Sequence, residues 1–191
     1  APADLLYNGG IGTYVKASHQ PHSAANDRTN DAVRVDGCQL RVKVVGEGGN
    51  LGFTQAGRVE FAMKGGLIFT DAIDNSAGVD CSDHEVNIKI LLGSVVAAGD
   101  MTLKQRNVLL AEMTEEVGSL VLRNNYLQTQ ILAINRYSSA QMLNAQSRLI
   151  TAMEKSGELK RALEGLPSDE QIAERRANRQ GLTAPEVAVL L

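Results

Sequence analysis

Short apolar runs alternate with polar, glycine-containing loops in the first half of the chain. Leu5–Tyr7, RVKVVG at residues 41–46 and GLIFT at residues 66–70 are rich in apolar and β-branched side chains, which predicts three strands. Between the last two, Thr54 can cap a helix that extends to Lys64, just before a Gly-Gly pair. Short buried strands separated by helices predict a parallel sheet with crossover helices.

A polar stretch, DAIDNSAGVDCSDHE, separates the third predicted strand from the next helix. Ser82 with Glu85 three residues later matches a capping box, so we expect this helix to begin at Ser82. Apolar positions at Val86, Ile90 and Leu91 continue its helical period.

The second half of the chain has a helical pattern throughout. Its predicted helices run from Thr102 to about Met113, from Thr114 to about Ser138, from Ser139 to about Ser156 and from Ser168 to Gly181. Fourteen of the 18 glycines lie before residue 100, which places most loops in the first half. We therefore expect an α/β region with a mainly parallel sheet at residues 1–99 and an all-helical region at residues 100–191.

Composition narrows the class of protein. The 191 residues are enough for one domain or two small ones, and 21% charged residues are ordinary for a globular protein. A net charge of −3 argues against a nucleic-acid surface, and no run of 18 apolar residues predicts a membrane helix. Two cysteines without CxxC spacing give no disulfide framework, so we expect a reducing, cytoplasmic location.

The two ends of the sequence favour a piece of a larger protein. The chain opens almost directly on a strand, and TAPEVAVLL resembles the first turns of a helix with Thr183 as its cap. A short natural terminal helix is the alternative. If strands of the sheet are missing, an exposed edge strand predicts self-association.

Two polar loops can line one crevice. In an open parallel sheet, ligands bind beyond the carboxyl ends of the strands, and both EGGNLG and DNSAGVDCS follow predicted strands. Their glycines do not have GxGxxG spacing, and no Walker A motif occurs. The structural alternative is that Asn75 only forms a turn and Ser82 only caps a helix.

Together the loops resemble a known family. EGGN, then a helix, a strand and DNSAGVDCSDHE follow the order of motifs in amino-acid dehydrogenases of the glutamate dehydrogenase type. DLLYNGGIGTYVKAS, VVGEGGNLGFTQAGRVEFA and ALEGLPSDEQIAERRANRQGLTAPEVAVLL further resemble the very large NAD-specific glutamate dehydrogenases of bacteria. The resemblance covers nearly the whole chain. It implies a fragment with the latter part of a Rossmann-type NAD-binding domain, followed by a helical domain.

The resemblance implies a set of residues that face the NAD cofactor. They are Gly9, Gly10, Gly48, Gly49, Asn50 and Asn75. Asn50 would face the nicotinamide half of NAD, and Asn75 would bind the nicotinamide ribose or amide. The glycines would leave room for the cofactor at two strand-end loops.

Ser82 is the implied substrate contact. It would bind the distal carboxylate of L-glutamate, assisted by a helix N-terminus. The sequence departs from the family pattern at Ala77, where a glycine is usual, and at Asp83-His84, where an aromatic pair is usual. No residue matches the family's catalytic lysine or its phosphate-binding loop. The chain alone is therefore expected to be inactive, with a catalytic base supplied by the rest of the parent chain.

The implied function is part of an NAD-dependent glutamate dehydrogenase that converts L-glutamate to 2-oxoglutarate and ammonia, within a homo-oligomer. Two alternatives stay open: a non-catalytic helical assembly module of a large subunit, and another NAD-linked amino-acid dehydrogenase. The hydroxyl of Ser82 favours a substrate with a second carboxylate, because a substrate with an apolar side chain would not need a hydroxyl partner at this position.

Several other polar residues are interpreted as structural. Lys16 and the Arg175-Arg176 pair are expected on the surface, and Cys81 is expected to pack beside the site. No metal site is expected, because His19 and His22 lack partners with ligand spacing.

Overall fold

Parallel pairing organises the first part of the chain in the computed structural model, which describes residues 2–191. The strands are β1 (Ala3–Asn8), β2 (Val15–Lys16), β3 (Val35–Asp36) and β4 (Val42–Glu47). β1 pairs with β4, and β2 pairs with β3, both in parallel. Single parallel bridges add Leu67 beside Val44 and Phe53 beside Val15. The predicted combination of helices with a few parallel strands is confirmed, but the strands form two separate two-stranded sheets instead of one larger parallel sheet.

Helices form most of the remaining chain. They are α1 (Gln55–Met63), α2 (Asp71–Asp74), α3 (Ser76–Ala98), α4 (Leu103–Tyr137), α5 (Ser139–Ser156), α6 (Asp169–Ala177) and α7 (Ala184–Val187). Short 3-10 turns occupy His22–Ala25, Arg28–Asn30 and Gly37–Gln39. None of the helices within residues 2–191 combines the length and apolar character that crossing a membrane requires.

Side-chain caps set several helix starts. Thr54 caps α1 by accepting a hydrogen bond from the Gly57 amide at 3.0 Å, and Thr102 caps α4 within a capping box. Gly99 ends α3 in the left-handed conformation at φ 85°, where the lack of a side chain removes the usual penalty. These three positions agree with the elements predicted from sequence.

Two apolar cores stabilise the chain. The first lies between the strands and α1 and contains Val15, Val45, Phe53, Phe61 and Ile68. The second lies among the later helices and contains Leu132, Leu143, Ile150, Leu159, Leu166, Ile172, Leu182 and Val187. Each fully buried large aliphatic side chain contributes about 1.5–3 kcal/mol of transfer free energy. Phe69 and Ile73 pack against the second core, so the segment around α2 joins the two parts.

Three predicted elements differ in the structure. GLIFT forms no regular strand, and only Leu67 makes a bridge. α4 runs without a break past Thr114, so the predicted helix start there is absent; the Thr114 hydroxyl donates to the Leu110 carbonyl at 3.1 Å and caps no helix. The helix predicted from Ser168 to Gly181 ends at Ala177.

The cap predicted at Thr183 is confirmed. Thr183 and Glu186 form a capping box at the start of α7, with a proline in its first turn. Glu186 is almost fully buried, at 1% exposure, and it receives two hydrogen bonds of 2.7 Å from Arg175. Arg175 is therefore not a surface residue, which corrects the sequence-based interpretation.

Candidate functional site

Two loops meet at one edge of the β1–β4 pair. They follow Asn8 and Glu47, which lie opposite each other in the parallel register of β1 and β4. The loops after the two strands therefore start at the same end of the pair. The Gly49 amide donates to the Asn8 carbonyl at 3.0 Å, and the Thr13 hydroxyl donates to the Leu51 carbonyl at 2.7 Å. The two glycine-rich loops that follow these strands are thus in direct contact.

Glycines permit this close contact between the loops. A Cβ atom on Gly49 would lie 2.6 Å from the Gly10 carbonyl oxygen, and one on Gly52 would lie 1.8 Å from Asn8 Nδ2. At Gly48 the nearest atom would be the Tyr7 hydroxyl, at 1.9 Å. Gly10 differs from these glycines. Apart from its two neighbours in the chain, no residue has a heavy atom within 4 Å of a Cβ added to Gly10. Gly10 therefore has open space on the side where the other three glycines meet protein.

Asn50 and Asn75 are brought together across this edge. Asn50 lies at the tip of the second loop, and Asn75 lies at the junction of α2 and α3. The Asn75 amide Nδ2 donates a hydrogen bond to Asn50 Oδ1. The two residues are 25 positions apart in sequence, but their side chains are in contact. The expectation that their two loops line one crevice requires such a contact.

A cleft of about 700 Å³ opens beside the two asparagines. Its lining comes from the second loop, α2, α3 and α4: Asn50, Ala72, Asn75, Ser76, Val79, Asp80, Asp83, Asn124, Leu127 and Gln128. The volume is in the range of small-molecule sites, and the lining combines apolar surface with amide groups that can donate and accept hydrogen bonds.

Ser82 lies on α3, but not at its start. The helix begins at Ser76, so the predicted capping box at Ser82 is wrong, and the Ser82 amide belongs to the helix interior. Anion binding by a helix N-terminus therefore does not apply at Ser82. The residue is exposed, is not part of the cleft lining, and lies seven positions after Asn75, which is nearly two helical turns. Asn75, Val79 and Ser82 thus follow one face of α3 over about 10 Å.

A buried ionic cluster lies beneath the second loop. The Arg58 guanidinium donates to both Glu47 carboxylate oxygens at 2.6 and 2.9 Å and lies 3.0 Å from Asp71. Asp74 accepts a hydrogen bond from the Glu47 backbone amide at 2.8 Å. Burial raises the pKa values of Glu47 and Asp74 above their ordinary range, and the nearby Arg58 charge opposes that rise in both carboxyls.

Sequence reasoning missed this cluster. Arg58 occupies the buried face of α1 beside Gly57 and Phe61, and a cation at an apolar position of a helix requires a partner. The placement of Arg58 on the apolar face of the predicted helix was the signal in the sequence that it has a buried ionic partner. The identity of the partners, Glu47 and Asp71, depends on the tertiary structure.

Polar contacts anchor α4 to the start of α3. Asn125 Nδ2 donates to the Ile73 carbonyl and to Ser76 Oγ, both at 3.1 Å, and Ser76 Oγ donates to Gln128 Oε1 at 2.7 Å. Asn124 donates to the Asp80 carboxylate at 2.9 Å. The helical part of the chain therefore forms one wall of the cleft.

Two further interpretations need correction. Lys16 is buried and forms an ion pair with Asp36, so it is not a surface lysine. Cys81 is exposed and does not line the cleft. His19 and His22 are exposed, and residues 2–191 contain no group of three His, Cys, Asp or Glu side chains arranged to hold a metal ion.

Comparisons with known proteins give a consistent result. The family described as "Bacterial NAD-glutamate dehydrogenase, catalytic domain" matches residues 1–135. A protein of Pseudomonas aeruginosa named NAD-specific glutamate dehydrogenase is 60% identical over 191 residues, all of this chain and 12% of the relative. Proteins of the same name from Halomonas elongata and Mycobacterium tuberculosis are 55% identical over 188 residues and 51% identical over 191 residues. Those matches cover 98% and 100% of this chain, and the chain again spans about 12% of each relative.

Proposed function

The chain belongs to the bacterial NAD-glutamate dehydrogenase catalytic-domain family, and we propose that it supplies the nicotinamide-facing and glutamate-facing part of an NAD-dependent glutamate dehydrogenase. The parent enzyme would convert L-glutamate, water and NAD⁺ to 2-oxoglutarate, ammonium, NADH and a proton. The observation that carries the proposal is the contact between Asn50 and Asn75 at the mouth of the cleft.

The described residues fit an NAD cofactor. The two asparagine side chains present amide donors and acceptors beside the cleft, and the open space at Gly10 allows close approach of a ligand to the backbone. When bound, NAD would accept a hydride from the substrate carbon. The roles of this chain would be to orient the nicotinamide through Asn50 and Asn75 and to leave room for it at Gly9 and Gly10. Gly48 and Gly49, which were also expected to face the cofactor, pack against Tyr7 and Gly10 and instead allow the two loops to approach each other.

Ser82 is proposed to bind the distal carboxylate of glutamate. Its exposed hydroxyl follows the same face of α3 as Asn75, so a substrate beside the nicotinamide could reach it. The contact would be a hydrogen bond from the hydroxyl to the carboxylate, without help from a helix terminus. Loss of that donor would remove one hydrogen bond to a charged group, which contributes about 1.5–3 kcal/mol.

Residues 1–99 are proposed to be the latter part of a Rossmann-type domain, and residues 100–191 to be a helical domain. The parallel pairing of β1 with β4 and the glycine-rich loops at their carboxyl ends support the first assignment. The left-handed Gly99 between α3 and α4 supports the boundary. A cytoplasmic location is consistent with the two free cysteines, Cys38 and Cys81.

An assembly role for the helices is a second proposal. Large apolar side chains are more than 40% exposed on α3 and α4: Val79, Val86, Ile90, Leu91, Leu103, Val108, Leu120, Leu122, Tyr126, Leu127, Ile131, Ile134 and Tyr137. Extended apolar surface of this kind is typical of an interface, either with the remainder of the parent chain or between subunits of a homo-oligomer. Sedimentation of the chain tests contact between subunits, since a monomer at high concentration would contradict that form of the proposal and leave contact with the remainder of the parent chain.

Substitutions in the full-length enzyme test the enzymatic proposal. Asn75→Ala is expected to raise the KM for NAD about tenfold or more, and Ser82→Ala to raise the KM for glutamate by a similar factor. Ser82→Ala should also narrow the preference for glutamate over amino acids with apolar side chains. Unchanged steady-state constants in both variants would contradict the assignment. The 191-residue chain alone is expected to give no glutamate-dependent NADH production.

A further inference from the structure

The loop that carries Asn50 is held on both sides by aspartates from another element. Before Asn50, the Glu47 amide donates to Asp74 Oδ2 at 2.8 Å. After it, the Leu51 amide donates to Asp71 Oδ2 at 2.6 Å. Both aspartates belong to α2, which leads directly into Asn75. The same short helix therefore fixes the loop of Asn50 and delivers Asn75.

Leu51 adopts a backbone conformation that needs such support. Its φ angle is 59°, in the left-handed region that a branched side chain rarely occupies, and its side chain is 66% exposed. Apolar burial therefore does not hold the residue in place. The hydrogen bond from its amide to Asp71 is a contact that can stabilise this conformation, and it directs the chain immediately after Asn50.

Arg58 connects the two halves of this arrangement. Its guanidinium binds Glu47 at the end of β4 through two hydrogen bonds and lies 3.0 Å from Asp71 at the start of α2. The Arg58 side chain is 6% exposed and that of Glu47 is 0% exposed, so water does not compete for this contact. Charge-assisted hydrogen bonds in such a site are strong and directional.

We propose that Arg58, Asp71 and Asp74 are positioning residues for cofactor binding, which hold the loop of Asn50 and the helix start of Asn75 in register beneath the cleft. The inference rests on the proposed function, because it concerns the same two asparagines. None of the three side chains is proposed to touch the cofactor. Their effect on NAD is transmitted through the backbone of residues 47–51 and through α2.

The test uses the full-length enzyme and the steady-state constants for NAD. Asp74→Ala removes the acceptor of the Glu47 amide and is expected to raise the KM for NAD about tenfold, with a smaller change in kcat. Asp74→Asn retains an acceptor oxygen at this position, so it should restore the KM to within about threefold of the unaltered enzyme. Both variants remove the carboxylate charge, and only Asp74→Asn keeps the acceptor. A difference in KM between them therefore reports the lost hydrogen bond and not the lost charge.

A second pair of variants examines the support of Leu51. Asp71→Ala is expected to raise the KM for NAD by a comparable factor. Leu51→Gly removes the penalty of the left-handed conformation, so Asp71→Ala should have a smaller effect in the Leu51→Gly background. Equal effects in the two backgrounds would show that Asp71 does not act through Leu51.

Arg161 supplies a matched control. Its guanidinium also joins two carboxylates, Glu154 at 2.8 Å and Asp169 at 2.7 Å, but it lies among the later helices away from the cleft. Arg58→Met should raise the KM for NAD, whereas Arg161→Met should change thermal stability alone. If the Arg58, Asp71 and Asp74 variants also change stability alone while Asn75→Ala raises the KM, the positioning role is overturned and the proposed function stands. If Asn75→Ala has no effect either, the proposed function itself fails.

Discussion

Replacing Gly49 by alanine should separate the two loops of the candidate site. The added Cβ would lie 2.6 Å from the Gly10 carbonyl oxygen and 3.3 Å from its carbonyl carbon, inside the 3.4 Å at which ordinary contact begins. Both obstructing atoms belong to the backbone, so a side-chain rotation cannot relieve the overlap. Overpacking of this kind costs about 1–3 kcal/mol of unfolding free energy. A misplacement of about 1 Å can cost about 100-fold in rate, and we expect a loss of about tenfold in kcat/KM for NAD, with a raised KM as one part of it.

Gly10→Ala is the matched control for the same contact. The added Cβ would meet no heavy atom within 4 Å, so the unfolding free energy should stay within about 0.5 kcal/mol of the unaltered chain. Urea unfolding of the 191-residue chain measures the free energies, and initial rates of the full-length enzyme measure the KM for NAD. An unaltered unfolding free energy in Gly49→Ala would refute the described contact between the loops. A raised KM in Gly10→Ala at unchanged stability would indicate that the cofactor approaches this residue.

Three further perturbations follow from the structure. Arg175→Ala leaves the buried Glu186 carboxylate without its bidentate partner, and thermal or urea unfolding should reveal a loss of about 3–5 kcal/mol; a loss below about 1 kcal/mol would contradict the burial of this pair. Gly118→Ala adds a methyl group in open space within α4 and should raise the unfolding free energy by about 0.5–1 kcal/mol, unless the helix is broken there. Hydrogen bonds from the Asn30 side chain and the Thr13 amide lower the pKa of Asp27 below its ordinary 3.8, so their contribution is complete above that pH and is lost as the pH falls through the lowered value. Asp27→Asn should flatten this acid limb in a pH series of thermal unfolding, and an identical limb would count against it.

Local patterns predicted the elements whose signals are also local. β4 and α1 follow from a β-branched run and from a threonine cap, and both form at or within a residue or two of the predicted positions. The start of α3 was misplaced because Ser82 and Glu85 have the spacing of a capping box. The chain is already helical at Ser76, six residues earlier, and α2 precedes it with Asp71 and Asp74 in its N-terminal turn.

The buried ion pairs could not be predicted, because their partners meet only through the fold. Arg58 and Glu47 are 11 residues apart, as are Arg175 and Glu186, and neither spacing has a meaning within one helix or strand. The capping box at Thr183 predicted a helix start there, but not the burial of Glu186 against Arg175. Charged side chains are rarely buried unless they are paired, so the surface interpretation of Arg175 followed the usual rule.

The candidate site was predictable in part. Asn50 and Asn75 could be singled out because their loops follow predicted strands and resemble motifs of one family, and the structure brings their side chains into contact. The order of motifs does not reveal that Gly49 faces the first loop or that Gly52 faces Asn8 at the end of β1. It also does not reveal that two aspartates of α2 hold the loop of Asn50, since these bonds run from backbone amides to side chains.

Equilibrium titration of the full-length enzyme with NADH, followed by nicotinamide fluorescence, tests most directly whether Asn50 and Asn75 belong to the cofactor site. We expect the double variant Asn50→Ala, Asn75→Ala to bind NADH at least about tenfold more weakly than the unaltered enzyme. Its melting temperature should equal that of the unaltered enzyme. An unchanged Kd for NADH in a folded double variant would contradict the proposed function, because the two asparagines at the mouth of the cleft would then not bind the cofactor.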